Sequence, residues 1–534
     1  MPDFDAIIIG AGHNGLTAAN VLAKAGASVL VVERNHFVGG MAATRTLFDG
    51  YQHSVGAWAV LVWSEQMTKR LEIEDFGYEL VPQWSSACTF GDDGDVPFVL
   101  YNDMERMATH MLEDHGPEVS MAAGELFAHV GQFDKYFRQA MFDPDIDIFE
   151  VIAEQADRET RRAFADMWFG PAMDIVRRFI PADMARTLQG SMAAMAVDGF
   201  DGGPWTPGSG ASLIYHYMLR SPGEMTDRIV MPRGGIGNLS KALQRRAESM
   251  GAEVRLATPV KSIVVDTSSG SPRATGVTLR DGSTVTADVV CSTADPYTTF
   301  LGLTGEQHFP TDFVRKLREI NFDLGYIQAH MTIEGDPEWI ERLQPFVSDN
   351  GHQVPTLAYL PSAEYVADGW DQYRAGRFPE SNPPAYLYLP SYCDKTLAPE
   401  GHHSATIYAQ YFPVGMDADE HREQKERYAD ACLATIERFS PGFRDRIGER
   451  VVLSNRYFGS AFSAHKGDFA HGTLSPVQIW NRRGVPGESQ YSTPVDNLFL
   501  VGQGAHPGPG VTGLPGWNGG QTVVERLNSR NPAR

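Results

Sequence analysis

The sequence is poor in cysteine and has no cysteine pair of the redox type. Its 534 residues contain four cysteines, and no two of them form a C-x-x-C motif: Cys88, Cys291, Cys393 and Cys432. This spacing indicates neither a disulfide framework nor a redox dithiol. We expect the cysteines to act as small buried hydrophobic residues.

Basic residues and long apolar runs are also scarce. Lysine and arginine total 45 against 67 acidic residues, which leaves a net charge of −22. Such a charge repels nucleic-acid phosphates and anionic lipid head groups, so we expect no nucleic-acid partner and at most peripheral membrane contact. No segment approaches the roughly 18 uninterrupted apolar residues of a membrane-spanning helix.

The chain enters a strand pattern almost at once. Residues 5–9 read Asp-Ala-Ile-Ile-Ile, which leaves no room for the basic and apolar regions of a signal peptide. From this pattern we expect a globular protein located in the cytoplasm, with any membrane association peripheral.

A glycine-rich turn joins this strand to the first helical pattern. Residues 10–15 form G-x-G-x-x-G between the strand and a helix, and Glu33 ends the next strand. In this context Gly10 allows the tight turn, Gly12 lets a pyrophosphate approach the backbone, and Gly15 lets the helix pack against the sheet. Glu33 would accept hydrogen bonds from the ribose hydroxyls and disfavour a 2′-phosphate. The same G-x-G-x-x-G pattern recurs at residues 508–513, but without the strand, helix and acid that frame the first one. We therefore do not interpret it as a second dinucleotide-binding turn.

The residues after Glu33 contain a glycine doublet, and it is the family resemblance of this doublet that implies FAD rather than NAD. Gly39 and Gly40 follow the acid by six and seven residues, and such a doublet lets the backbone pass close to a diphosphate. The pattern resembles glutathione-reductase-type flavoproteins of the amine oxidase and phytoene desaturase branch. Many relatives carry arginine after the doublet, whereas this chain has Met41, with Arg45 four residues later.

Two later segments extend the resemblance. Residues 232–260 are similar to the family's return to the FAD domain, which implies that the backbone of Val260 flanks the adenine. Residues 497–516 are similar to the segment that faces the flavin ring. Together with the Gly-Ala-Gly-His-Asn-Gly opening, they identify the chain as a member of the phytoene dehydrogenase-related group. The resemblance implies that the following residues bind FAD: Gly10, Gly12, His13, Asn14, Gly15, Glu33, Arg34, Gly39, Gly40, Met41, Val260, Gly502, Gly504, Gly513 and Leu514.

The predicted fold class is α/β, with a discontinuous Rossmann-like FAD domain and a substrate domain that combines a mixed or antiparallel sheet with a helical cap. The FAD domain is expected in three parts, at residues 1–100, 231–300 and 490–534. A helical region is expected at 101–230 and the sheet of the substrate domain at 301–489. Ten of the nineteen methionines fall between residues 104 and 195. They would form either a deformable cap over the substrate or an ordinary helical core.

Three histidines are candidate proton carriers, since only histidine has an unperturbed pKa near neutrality. They are His53, His471 and His506, and each has a competing interpretation as a hydrogen-bonded structural residue. Trp58, Trp63 and Trp480 are candidate substrate-pocket residues, with core packing as the alternative. We predict no metal site: the adjacent His402 and His403 would point to opposite faces of a strand.

Three functional hypotheses follow. In the first, an FAD-dependent dehydrogenase or desaturase takes hydride from a lipophilic substrate, such as an isoprenoid or polyene, onto flavin N5. Since the sequence lacks a second strand-associated nucleotide motif, the resemblance implies reoxidation of the flavin by oxygen or a quinone. The second is ketolase-like or amine-oxidase-like flavin oxidation. The third is a flavin-binding scaffold with vestigial catalysis. The substrate's identity and the oligomeric state are left open.

Overall fold

The computed structural model describes residues 2–57, 63, 65–83, 85–143, 147–218, 230–349, 352–485, 487 and 491–530. Its strands are β1 (Phe4–Ile9), β2 (Val29–Val32), β3 (Ala42–Phe48), β4 (Tyr51–Gly56), β5 (Leu80–Val81), β6 (Ser85–Phe90), β7 (Phe98–Tyr101), β8 (Met231–Pro232), β9 (Glu253–Arg255), β10 (Val260–Asp266), β11 (Arg273–Leu279), β12 (Thr284–Ser292), β13 (Tyr326–Glu334), β14 (Ser348–Asp349), β15 (His352–Gln353), β16 (Thr356–Tyr359), β17 (Ala385–Tyr388), β18 (His402–Gln410), β19 (Ile447–Ser454) and β20 (Leu498–Leu500).

The α-helices alternate with these strands at both ends of the chain and cluster between β7 and β8. They are α1 (His13–Lys24), α2 (Glu65–Arg70), α3 (Met104–Glu113), α4 (Pro117–Gly131), α5 (Asp134–Met141), α6 (Ile148–Gln155), α7 (Arg158–Phe169), α8 (Ala172–Phe179), α9 (Arg186–Val197), α10 (Ser209–Met218), α11 (Gly237–Ser249), α12 (Thr311–Arg318), α13 (Gln344–Val347), α14 (Ala363–Arg374), α15 (Ala418–Glu437), α16 (Asn455–Phe462) and α17 (Leu514–Arg530).

The first sheet is assembled from three distant parts of the chain. Its order is β10-β11-β12-β1-β2-β9, and β20 pairs with β12. β1 lies parallel to both β2 and β12, with Ile8 opposite Val31 on one side and Cys291 on the other. Uninterrupted apolar residues suit these strands because helices cover both faces of a parallel sheet.

The second sheet follows the order β19-β13-β18-β17-β16-β6-β7. Its pairs are antiparallel except for β16 and β6, which run parallel. β6 and β7 come from residues 85–101. The second sheet therefore includes residues that were expected to belong to the first part of the FAD domain, at 1–100. The predicted fold class, α/β with a discontinuous Rossmann-like domain and a mixed second sheet, is confirmed.

Eight helices, α3 to α10, lie between β7 and β8 in the chain. Met141, Met167, Met173 and Met192 are buried within this helical core, whereas Met104 is 67% exposed. None of the ten methionines between residues 104 and 195 lines the large cavity described below. The buried methionines therefore pack as an ordinary helical core, whereas Met104 and Met121 are exposed. The alternative of a deformable methionine-rich cap over the substrate is not what the structure shows.

Helix α1 is clamped between two other helices. α17 approaches so closely that a Cβ at Gly516 would overlap the carbonyl oxygen of Asn14. On the other side, the Asn20 side chain donates a hydrogen bond to the carbonyl oxygen of Leu243 in α11 (2.9 Å). This packing fixes the N-terminus of α1 at the edge of the first sheet. No helix in the described ranges has the length and hydropathy that spanning a bilayer would require.

Candidate cofactor and substrate site

One large cavity runs from the first sheet to the second and has about 2000 Å³ of free space, part of it open to solvent. At one end it is lined by the glycine-rich turn, Glu33 and Val260. At the other end it is lined by tyrosines of the second sheet. A dinucleotide bound at the first end would therefore extend toward the second.

The glycine-rich turn has the shape that a diphosphate requires. Gly10 has φ +100°, and a Cβ at Gly15 would overlap the carbonyl oxygen of Gly10, so α1 can start only against a bare backbone. Around Gly12, by contrast, a Cβ would meet no atom within 4 Å. This empty cradle at the positive end of α1 suits an anionic group.

Glu33 is held in place at the end of β2. Its carboxylate accepts hydrogen bonds from the backbone N–H of Ala11 (2.9 Å) and of Asn35 (2.8 Å). The side chain is buried yet lines the cavity, as a ribose-binding acid should.

The predicted adenine end includes Val260 and also Arg280 and Thr293, which lie outside the segment predicted to bind FAD. Val260 lines the cavity together with Thr258, Pro259 and Arg280, and Thr293 lines it beside Gly10. The hydroxyl of Thr293 occupies the space where a Cβ at position 10 would lie, which explains why this position is glycine. Thr293 directly follows β12, which pairs with β1. The pairing of these two strands is the signal that could have placed Thr293 beside Gly10.

The glycine doublet lies against the turn. Gly39 donates a backbone hydrogen bond to the carbonyl oxygen of Ala11 (2.8 Å), and both Gly40 and Met41 line the cavity. Arg45 does not replace the arginine that relatives carry, since its guanidinium stacks on the Phe37 ring at 3.9 Å. The first turn of α1 is thus one source of positive potential for a diphosphate here, together with the cavity-lining Arg34 and Arg280.

Arg34 is the remaining charged residue of the predicted cofactor set at this end. It lines the cavity and donates a hydrogen bond to the hydroxyl of Ser463. Ser463, which also lines the cavity, comes from a distant part of the chain that the motif search did not mark.

The C-terminal segment contributes to the cavity through different residues from those predicted. Gln503, Pro509, Gly510 and Val511 line it. Gly502, Gly504, Gly513 and Leu514 lie one layer behind. A Cβ at Gly504 would lie 2.6 Å from Pro296, and Leu514 is fully buried. These glycines therefore let the segment pack against its own domain, while their neighbours face the cavity.

His471 is the one predicted proton carrier that lines the cavity. It has a left-handed backbone (φ +57°), and its Nδ1 has no hydrogen-bond partner among the described residues. Burial lowers the pKa of His471 to about 4. His13 also lines the cavity, and burial, together with the neighbouring His471, lowers the pKa of His13 to about 4.

His506 and His53 lie away from the cavity lining. His506 is fully buried, and its Nε2 is 2.8 Å from the carbonyl oxygen of Ala140. His53 packs against His330, with ring centroids 5.3 Å apart. Burial lowers the pKa of His53 and of His506 to about 4, so both imidazoles are neutral at physiological pH.

Two of the predicted pocket tryptophans support the site from behind, and Trp58 lies outside the described residues. Trp63 packs where a Cβ of Gly513 would be and donates to the Thr68 hydroxyl (2.9 Å). Trp480 is fully buried behind Tyr215, with ring centroids 5.6 Å apart.

The second end of the cavity is an aromatic chamber, which we define by Tyr326, Tyr388, Tyr408, Phe469 and Leu474. The rings of Tyr326 and Phe469 lie 5.1 Å apart and those of Tyr326 and Tyr408 lie 6.0 Å apart. The period of two along β13 turns Tyr326 toward the cavity, and the register of β13 and β18 brings Tyr408 beside it. Sequence reasoning missed this chamber because its members are dispersed over 149 residues.

Asp198 introduces a charge into the chamber wall. Its carboxylate accepts hydrogen bonds from the hydroxyl of Tyr408 (3.0 Å) and the amide of Gln410 (3.3 Å). Burial, followed by the Asp198 charge, raises the pKa of Tyr408 well above its usual value. The chamber thus combines aromatic walls with one carboxylate.

The residues present fit FAD. The open cradle at Gly12, the ribose acid Glu33 and the length of the cavity suit a dinucleotide, and the side-chain oxygen of Asn14 has no partner in the described part of the chain, so a polar ligand could supply one. Fold and cavity together define a two-sheet, dinucleotide-binding oxidoreductase.

The chain belongs to the family of flavin containing amine oxidoreductases, whose family model matches residues 15–513. It is accordingly an FAD-dependent oxidoreductase.

Three similar proteins illustrate the breadth of this family. Pyridine nucleotide-disulfide oxidoreductase domain-containing protein 2 from Mus musculus is 28% identical, over 99% of this chain and 94% of that protein. Phytoene desaturase (lycopene-forming) from a Paracoccus species is 24% identical, over 96% and 95%. Cyclohexylamine oxidase from Brevibacterium oxydans shares the fold, with a TM-score of 0.60 at 15% identity over 99% of both chains. The predicted resemblance to the phytoene dehydrogenase-related group is confirmed.

Proposed function

We propose that this protein is an FAD-dependent dehydrogenase that takes hydride from an apolar, unsaturated or otherwise lipophilic substrate onto flavin N5. The observation that carries the proposal is the continuity of the cavity, which leads from the dinucleotide cradle into the aromatic chamber. FAD supplies the hydride acceptor when bound. The similarity to a phytoene desaturase supports a substrate of this class.

The chain's own residues would hold and orient the substrate. Tyr326, Tyr408 and Phe469 offer ring faces and edges to a flat apolar molecule. In the proposed desaturation one hydrogen would leave as hydride to flavin N5, and the second would leave as a proton to a nearby base or to solvent. Removal of water from this space and a fixed approach to the flavin would favour the hydride transfer. Of the three predicted histidines, His471 lines the cavity, and it is therefore the proposed proton carrier.

Oxygen or a quinone is the proposed electron acceptor, since the sequence has no second dinucleotide motif. The proposed location is the cytoplasm, with membrane contact at most peripheral and serving only to reach a lipophilic substrate.

The test is an anaerobic titration of the purified, FAD-containing protein with candidate lipophilic substrates, followed in the visible flavin band. Bleaching by a polyene or isoprenoid, with a product two hydrogens lighter, is the expected result. A product that gains oxygen would favour ketolase-like chemistry. Bound flavin that no lipophilic substrate reduces would contradict the proposal.

Amine oxidation is a second candidate because Asp198 places a carboxylate in the chamber wall. An ammonium group beside this carboxylate would gain on the order of 1 to 3 kcal/mol. The replacement Asp198→Asn would then raise KM for an amine by about tenfold or more and leave kcat nearly unchanged. If the substrate is a neutral lipid, the same variant should leave KM within about twofold of the wild-type value.

A further inference from the structure

Arg483 is a buried cation in the layer of protein behind the cavity wall. Its side chain is 3% exposed. Its Nε donates to the carbonyl oxygen of Gln503 (3.0 Å), and its Nη1 donates to those of Gly472 (2.6 Å) and Gln478 (2.9 Å). Its Nη2 donates to the carbonyl oxygen of Ala470. The guanidinium therefore joins the loop that carries His471 to the C-terminal segment.

Only one layer of backbone separates this guanidinium from the cavity. Gln503, which accepts its Nε hydrogen bond, lines the cavity. On the other side, a Cβ at Gly508 would lie 3.6 Å from Nε, and the next residue, Pro509, also lines the cavity. These residues belong to the C-terminal segment that, by resemblance to the family, faces the flavin ring.

The positive charge of Arg483 has little local compensation. Within the described residues its hydrogen-bond acceptors are all backbone carbonyls, and no carboxylate forms an ion pair with it within 4.0 Å. Burial lowers the pKa of Arg483 to about 10, so the guanidinium is still protonated at neutral pH.

Two acidic groups act on Arg483: first the hydroxyl of Tyr215, and then the carboxyl of Asp468, which is fully buried. Its carboxylate accepts hydrogen bonds from the backbone N–H of Ala470 and of Gly472, both at 2.7 Å. Burial raises the pKa of Asp468 to about 7, so this carboxylate is only partly ionised at neutral pH. Asp295, a second buried acid, acts on both Asp468 and His471.

We propose that Arg483 is an electrostatic residue of the active site: its fixed charge behind the Gln503 and Pro509 wall stabilises the reduced, more negative state of FAD and raises its midpoint potential. Asp468 opposes this effect. The inference rests on the proposed function, because it needs FAD in the cavity, but it adds a residue that does not touch the cavity and sets the driving force of the reaction.

The sign follows from Coulomb's law. Reduction adds negative charge to the flavin, and a cation buried behind the cavity wall in a poorly polarisable interior favours that change. A merely structural role would also use the hydrogen bonds of Arg483 but would not require its charge. The two roles can be separated because lysine retains the charge and loses the planar fork of donors.

The experiment measures the midpoint potential of FAD in the full-length holoprotein and in four variants. Arg483→Met should lower the potential, equivalent to a fall on the order of tenfold in the affinity for reduced FAD relative to oxidised FAD. Asp468→Asn should raise it. Arg483→Lys should keep most of the wild-type potential even where its thermal stability falls. Arg374→Gln, which removes an exposed arginine of α14, is the matched control and should leave the potential unchanged.

A wild-type potential in Arg483→Met would overturn the inference, as would shifts of the same sign in Arg483→Met and Asp468→Asn. If Arg483→Met does not fold, Asp468→Asn and Arg483→Lys still decide the matter. A wild-type protein that binds no FAD would contradict the proposed function, whereas one that binds FAD with an Arg483-independent potential would contradict only the inference.

Discussion

Gly12 and Gly15 show how neighbouring residues of one turn serve different purposes. A Cβ at Gly15 would overlap the carbonyl oxygen of Gly10, whereas a Cβ at Gly12 would enter empty space. Gly15 is thus required by the fold of the polypeptide itself. Gly12 is required only if something occupies the cradle.

This contrast yields a prediction for Gly12→Ala. The variant should fold with a free energy of unfolding within about 0.5 kcal/mol of the wild-type apoprotein. Its affinity for FAD should fall on the order of a hundredfold, since the new methyl group would displace a diphosphate from the backbone donors. Fluorescence titration of the apoprotein with FAD measures this change. The control is Gly124→Ala, also in open space but in α4; equal loss of affinity in both variants would argue against the cradle.

His53 leads to a prediction about pH. Neither ring nitrogen of His53 has a hydrogen-bond partner in the described structure, and burial lowers its pKa to about 4. Its neighbour His330, whose Nδ1 is 2.9 Å from the Thr406 hydroxyl, also has its pKa lowered by burial. Because the unfolded chain takes up protons near pH 6.5 while the folded chain resists them, stability is lost as pH falls below 6.5.

Removal of this histidine should therefore flatten the pH dependence of stability. Between pH 7 and pH 5, His53 alone should lower the unfolding free energy of the wild-type protein by roughly 2 kcal/mol. In His53→Leu most of this decrease should be absent. Chemical denaturation at pH 5, 6 and 7 provides the measurement. His308→Gln, at a half-exposed position, serves as the control; an unchanged slope in His53→Leu would show that His53 accepts its proton without penalty.

At the scale of elements, the contact between α1 and α17 helps to position the cofactor end of the cavity. A Cβ at Gly516 would overlap the carbonyl oxygen of Asn14, and a Cβ at Gly520 would lie 3.0 Å from the side chain of Val21. Small residues on α17 therefore allow the two helices to touch along their backbones. The N-terminus of α1 depends on this contact for its orientation.

Gly516→Ala should separate the two helices. We expect a loss of about 2 kcal/mol in unfolding free energy from overpacking, with weaker FAD binding as a consequence of the displaced α1. Thermal unfolding and FAD titration of the same preparation measure both effects. Gln521→Ala, on the exposed side of α17, should change neither; normal FAD affinity in Gly516→Ala would mean that α1 keeps its place without this contact.

At the scale of the whole molecule, the cavity joins the two sheets. Gly12 and Val260 belong to the first sheet and its turns, whereas Tyr326 and Tyr408 belong to the second, and all four line the same space. A ligand that fills the cradle and reaches the chamber should therefore stabilise both sheets at once.

Hydrogen exchange of the apoprotein and holoprotein tests this coupling. FAD at 100 times its dissociation constant should add about 2.7 kcal/mol to global stability and slow exchange in β1 and in β13 alike. In Gly12→Ala the same FAD concentration should add only about 0.4 kcal/mol, with correspondingly less protection of both strands. Protection confined to β1 would indicate that the second sheet responds to substrate alone.

Much of the FAD domain could be predicted because its signals are local. Gly10, Gly12 and Gly15 between a strand and a helix, with Glu33 at the end of the next strand, follow from steric and hydrogen-bonding rules within 24 consecutive residues. The strands β13, β17 and β18 also follow from their apolar patterns. The predicted domain boundary at residue 100 did not assign β6 and β7 to the second sheet. That assignment depends on the pairing of β6 with β16, which joins residues about 270 positions apart.

The sequence by itself determined the dinucleotide turn, the alternation of strands and helices around it and the preference for FAD, because each depends on neighbours along the chain. Only the tertiary structure decided that His471 lines the cavity while His53 and His506 do not, that Gln503 and Pro509 rather than Gly502 and Gly513 form its wall, and that Arg483 lies behind that wall. The reason is physical: a side chain's access to a cavity is set by how distant segments pack against one another, and local propensity carries no record of that packing.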